Sequence, residues 1–132
     1  MLSDVLWSKL APMIETCRPK GKTPPQDLRR TISAILWRHR NGATWRSIPE
    51  ALGPWWQAAQ IFRRWAKAGT WERLFDLARE AGVSLGMTFL DGSNIRAHAK
   101  AAGAAKRGLT RLNEIVVKRL AALVAAMEPR LA

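Results

Sequence analysis

At 132 residues the chain fits one domain with a short appendage, and its 48% hydrophobic content can build a core, which excludes a disordered tail. Lys and Arg number 22 against 10 Asp and Glu, a net charge of +12 that favours a polyanionic partner and makes nucleic-acid contact the leading expectation, ahead of a merely solvated basic surface. With Cys17 the lone cysteine, and only His39 and His98 beside it, a disulfide framework and a structural zinc site are excluded, and the absence of a basic leader or a membrane-length apolar run points to a reducing cytoplasm.

Ser3 caps a first helix, in which Val5, Leu6, Leu10, Met13 and Ile14 recur at helical spacing. The segment RPKGKTPP (18–25) is a basic loop rich in helix breakers. Pro25 then opens a second helix that runs through Arg40. Leu28, Ile32, Ile35, Leu36 and His39 form its inner stripe, with Arg29, Arg30, Arg38 and Arg40 largely off it, and Asn41-Gly42 ends it in a left-handed cap. TWRSIPEALG (44–53) is a short turn or helix. From Pro54 to Ala68 a third helix turns Trp55, Ala58, Ala59, Phe62 and Trp65 inward and carries Arg63, Arg64 and Lys67 at its end. Gly69 closes that helix. Thr70 caps a fourth, which buries Trp71, Leu74, Phe75 and Leu77 and stops at Gly82.

At residue 83 the period changes. VSLGMTFL (83–90), Asp91-Gly92 and the run from Ser93 to His98 are expected to form a strand, a tight turn and a returning strand. KAAGAAKRG (100–108) is a small-residue linker, and Leu109, Leu112, Val116, Leu120, Leu123 and Met127 space as an amphipathic helix that ends before Pro129.

The positive charge is uneven. Between Arg18 and Lys67 eleven basic residues face only Asp27 and Glu50, and between Arg96 and Arg119 seven face only Glu114. Several short helices with basic exposed faces fit helix-turn-helix DNA readers, though many small helical domains share that pattern. The candidates for phosphate contact are Arg29, Arg30, Arg38, Arg40, Arg46, Arg63, Arg64 and Lys67, and the cations at helix ends serve equally well as solvated ends. The seven tryptophans are expected to be core packing residues rather than base-stacking platforms.

The string ILWRHRNGATWRSIPEALGPWWQAAQIFRRWAKAGTW (35–71) resembles the N-terminal domain of insertion-sequence family 5 transposases, the group sharing an insertion-element-402-like domain. The likeness covers residues 2 to about 107 and runs on through LDGSNIRAH (90–98) and Ala101-Ala102-Gly103. In that family the later segment begins a ribonuclease-H-like catalytic domain, and its aspartate is the first of an Asp-Asp-Glu triad. The resemblance thus makes Asp91 a catalytic residue and metal ligand, and sets Arg96 and His98 beside the DNA near the active site, His98 not as a metal ligand; Lys100 is a further candidate DNA contact. A carboxylate at a strand end suits a hard cation such as Mg, and two cations drive phosphoryl transfer. One carboxylate cannot do this, so the divalent cation is expected only in a full-length enzyme and none in this fragment, which is expected to be inactive alone. Without the resemblance, Asp91-Gly92 is simply a hairpin turn.

After Gly108 the likeness stops. The family continues with Gly-Arg-Ser-Arg-Gly-Gly, whereas this chain has LTRLNEIVVKRLAALVAAMEPRLA. Codons permitted for Lys118 to Ala132 can encode Gly-Arg-Ser-Arg-Gly-Gly in the minus-one frame, which is compatible with a first reading frame of a two-frame element and a tail that is an out-of-frame by-product. A rival reading makes the tail a homodimerisation seam.

The resulting expectation is a mainly α protein in three parts. Residues 1–82 form a compact helical DNA-binding domain, 83–108 the β-hairpin that begins a truncated RNase H-like domain, and 109–132 a non-family helical tail. Its expected partner is double-stranded DNA, the terminal inverted repeats of an insertion element in a bacterial nucleoid, with no membrane. The alternatives are a stand-alone transcriptional regulator or transposition repressor, and a non-functional remnant.

Overall fold

The computed structural model describes residues 2–19, 27–84 and 106–127, and every regular element among them is helical. In α1 (Asp4–Cys17) the Ser3 hydroxyl accepts the backbone N–H of Leu6 at 3.2 Å, satisfying one of the free donors of the first turn. Leu6, Leu10, Ile14 and Cys17 then fall on one buried face, while Val5 turns outward. Helix α2 (Leu28–Asn41) starts later than the proline signal implied: Asp27 is its cap, accepting the N–H of Arg30 at 3.1 Å, and residues 20–26 lie outside the described ones. The helix ends where the sequence places the stop, at Gly42 with φ 61°.

Two 3-10 turns, Trp45–Ser47 and Glu50–Leu52, carry the chain to α3 (Trp55–Ala68). Gly53, at φ 91°, bends the chain where Arg30 lies against it; a Cβ there would sit 2.8 Å from Arg30 Nε. Helix α3 ends in a left-handed Gly69, φ 73°, and α4 (Thr70–Ser84) begins at the next residue. Thr70 does not act as the cap. Its hydroxyl is buried without a hydrogen-bond partner, and the carbonyl of Gly69 accepts the N–H of Arg73 at 3.4 Å. Neither the link from Gly42 to Pro54 nor the single Gly69 is the three-to-four-residue turn of a helix-turn-helix.

The mainly α expectation holds, but the β-hairpin opening an RNase H-like domain does not. The described residues form five helices and no strand. Val83 and Ser84, assigned to the first strand, are the last turn of α4, so Gly82 is a buried residue inside that helix and not its stop. Glycine in a helix interior costs about 1 kcal/mol relative to alanine, a penalty that packing easily offsets where the helix docks on a neighbour. The remainder of the supposed hairpin, with Asp91, lies outside the described residues.

Helix α5 (Lys106–Met127) also starts earlier than the sequence implied, taking in the end of the small-residue linker. It packs on α4, α2 and α3, with its most extensive contact along α4. Leu112, Val116, Val117, Leu120, Ala121, Leu123, Val124 and Met127 join one continuous cluster with the buried residues of α1 to α4. The apolar stripe proposed as a dimer seam is therefore used within the chain at Leu112, Val116, Leu120, Leu123 and Met127. At the centre of the cluster, Trp71 is fully buried and its indole N–H donates to the carbonyl of Phe62 at 3.0 Å. If α5 is part of the fold, Leu120→Ala lowers unfolding free energy by about 2–5 kcal/mol in urea titrations followed by tryptophan fluorescence; a loss below about 0.5 kcal/mol would identify a dispensable appendage.

Candidate nucleic-acid interface

Ten cations were singled out by sequence, and the fold separates them. Arg29 ties the N-terminal segment to α2: its NH1 donates to Asp4 Oδ1 at 2.6 Å, and Nε and NH2 donate to the carbonyl of Leu2, the former at 2.9 Å. Arg30 is laid against the Gly53 bend, 3.9 Å from Asp27 Oδ2, with its Nε buried. The Arg38 guanidinium stacks 4.6 Å over the Trp45 ring and donates to Glu114 Oε1 of α5 at 3.3 Å. Arg29 and Arg38 thus bond to other elements of the fold, and Arg30 packs beside the Gly53 bend. Arg40, Arg46, Arg63 and Lys67 are exposed, and Arg64 is half-buried. Arg96, Lys100 and Asp91 lie outside the described residues, and no group of three or more His, Cys, Asp or Glu that could hold a metal occurs among the described ones.

The exposed cations find their best setting on α3. Its sequence, WWQAAQIFRRWAKA, contains no acidic residue. Trp56, Gln60, Arg63 and Lys67 are all exposed and follow one another at steps of four, three and four, so at 100° per residue they share one narrow outward stripe. The opposite face buries Ala58, Ile61, Phe62 and Trp65. Arg63 and Lys67 are like charges at i and i+4, an arrangement that costs an isolated helix about 0.2–0.5 kcal/mol; the helix C-terminus offsets part of that. Beside this stripe Arg46 leans over the Trp55 ring at 5.3 Å.

Sequence reasoning missed Trp56 and Gln60. Trp56 is 58% exposed, unlike the other six tryptophans, which are buried or half-buried. The helical wheel of α3 contained the signal, since Trp56 falls opposite Phe62 and Trp65 and on the side of Arg63. Reading all seven indoles as packing residues hid it.

Behind the stripe, α3 is held by an aromatic cluster. Phe62 lies 4.8 Å from the His39 ring, 5.4 Å from Trp45 and 6.0 Å from Trp71, and Trp71 lies 5.2 Å from Trp65. The Nε2 of His39 is 3.1 Å from Arg38 NH1, which can only donate, so Nε2 accepts and Nδ1–H donates to the carbonyl of Ile35 at 2.8 Å. Burial pushes this imidazole down to a pKa of about 4, helped by the adjacent Arg38 charge, against opposing contributions from the Ile35 carbonyl and Glu114.

This helical unit has known relatives. A family model described as "Putative transposase of IS4/5 family" matches residues 2–75. The chain belongs to the IS4/5 transposase family. It is 36% identical over 105 residues to the uncharacterized protein y4sN of Sinorhizobium fredii, covering 78% of this chain and 82% of that one. It is 28% identical over 111 residues to the insertion element IS402 uncharacterized 16.2 kDa protein of Burkholderia cepacia, covering 74% of each. No solved structure matches. The IS4/5 match spans α1 to α3 and the first turns of α4, so it includes the whole exposed stripe and stops before α5.

The His39 geometry predicts a pH dependence. The folded pKa lies below the ordinary value of 6.5, so the unfolded chain takes up the proton first. Stability from this group is complete above pH 6.5 and is lost as pH falls towards 4, by about 3 kcal/mol in all. His39→Phe keeps a ring in the aromatic cluster and removes that loss; urea midpoints at pH 7.5 and 4.5 that fall equally in both chains would contradict it.

Proposed function

We propose that this IS4/5-family chain is a DNA-binding unit that grips the terminal inverted repeats of its insertion element through the exposed face of α3. The observation carrying this reading is the Trp56–Gln60–Arg63–Lys67 stripe, which joins cations, an amide and an indole with no acid on the same helix. Arg63 and Lys67 neutralise phosphates and set position on the duplex. Gln60 is the one exposed amide of the stripe, and an amide can pair with N6 and N7 of adenine in the major groove. Trp56 supplies a flat apolar surface for sugar or base.

A second reading, that the chain occupies element ends without cutting them and so represses transposition, draws on α5. Buried residues of that helix join the hydrophobic cluster of α1 to α4, so the short chain has a core to fold around as a DNA-occupying unit. Whether the coding locus continues in the minus-one frame decides between a short product of a longer transposase gene and a stand-alone binding protein.

Fluorescence anisotropy on a labelled duplex carrying the inverted repeat, with a scrambled duplex alongside, tests the proposal. Arg63→Gln with Lys67→Gln is expected to weaken binding to both about tenfold and to reduce the slope of log K against log salt by about 2. Gln60→Ala is expected to reduce the preference for the repeat. Equal affinity of the double variant and the unaltered chain would overturn α3 as the interface.

A further inference from the structure

A second cationic feature lies away from α3, in a groove of about 300 Å³ between the C-terminal turn of α2 and the exposed side of α5. Its walls include Gly42 and Ala43 on one side and Arg111, Ile115 and Lys118 on the other. Arg111, Ile115 and Lys118 are exposed and follow at steps of four and three, so they form one outward ridge of α5. Glu114 stands three residues after Arg111 and four before Lys118, where a carboxylate ordinarily neutralises both neighbours on a helix. Here it does neither. Its carboxylate is drawn across to α2, where Arg38 donates to it at 3.3 Å, and Arg38 is itself anchored on the Trp45 ring at 4.6 Å. Among the described residues, Arg111 and Lys118 have no ion pair.

The consequence is electrostatic. Among the described residues, Glu114 is the one carboxylate lining the groove, and it is already paired with Arg38 from inside the fold, so the field at the groove's mouth comes from Arg111 and Lys118. They stand seven residues apart, about 10 Å along the helix axis, on long side chains able to reach separate anionic groups. Between them Ile115 is one of three large apolar side chains exposed among the described residues, and it offers a surface for the apolar face of a sugar rather than for water. A free inorganic anion would need one convergent pocket; two separated cations with an apolar residue between them suit a repeating polyanion.

We propose that Arg111 and Lys118 form a second binding site for the sugar-phosphate backbone of duplex DNA, independent of base sequence. This inference rests on the reading of the chain as a DNA-binding unit and extends it to α5, beyond the reach of the family match. The α3 stripe then selects the repeat, and the α5 ridge adds affinity for any duplex.

The test uses the full chain and two 30-base-pair duplexes, one with the inverted repeat and one unrelated. Arg111→Gln with Lys118→Gln changes only exposed side chains; circular dichroism and the urea midpoint check that the fold is kept. The expected result is a loss of about tenfold on both duplexes, an unchanged ratio between them, and a salt slope smaller by about 2. Lys9→Gln, which removes one exposed charge from α1, controls for net charge and is expected to change affinity less than twofold. An unchanged slope in the α5 variant, with the α3 variant still defective, overturns the α5 site and leaves the proposed function standing. A loss per charge equal to that of Lys9→Gln overturns it as generic attraction. An unaltered chain that binds neither duplex overturns both readings.

Discussion

Phe62 is the ring against which three elements are set. From α3 it meets His39 of α2, Trp45 of the first 3-10 turn and Trp71 of α4, all with centroids within 6.0 Å, and its carbonyl accepts the buried indole N–H of Trp71. Aromatic pairs at such spacings add about 0.5–1.5 kcal/mol each beyond area burial, and a buried indole N–H left without an acceptor would cost about 1–3 kcal/mol. The cluster therefore sets the rotation of α3 about its own axis. Because Phe62 and Trp65 must face inward, Trp56, Gln60, Arg63 and Lys67 must face outward. The candidate interface is the geometric complement of the core.

The same cluster governs the electrostatics at a distance from it. Trp45 gives Arg38 a surface to stack on, and from there the guanidinium reaches Glu114 on α5. One arginine thus holds a helix junction, fixes the tautomer of His39 and withdraws the one carboxylate from the ridge of α5. A partly exposed ion pair is worth little in stability. Its larger effect is on where negative charge does not appear.

Helix α5 links the buried core to the second cationic surface. It lies beyond the matched family region, yet its apolar face is buried in the same cluster as α1 to α4, along α4 and across the end of α2. Whatever reading frame encodes it, the helix is a structural part of this chain. Its outward side extends the positive surface beyond the residues that the family model matches.

Much of the helical architecture was legible from residues 3 to 75. Ser3, Gly42 and Gly69 mark helix boundaries through local chemistry, a side-chain cap and two left-handed glycines, and local chemistry is readable from sequence. The inner stripe of α2 and the burial of Phe62, Trp65 and Trp71 follow from the 3.6-residue period alone, and membership of a transposase family was readable from the order of tryptophans and glycines. The tertiary structure decided what depends on neighbours distant in sequence. Gly82 looked like a stop, but α4 runs past it to Ser84. Nothing in the sequence showed that Arg29 would bond Leu2 and Asp4, that Arg30 would lie against the Gly53 bend, or that Arg38 would reach Glu114. A helix period reports which face of a segment is apolar; it carries no information on which distant group will satisfy a charge, because that is set only when the helices pack.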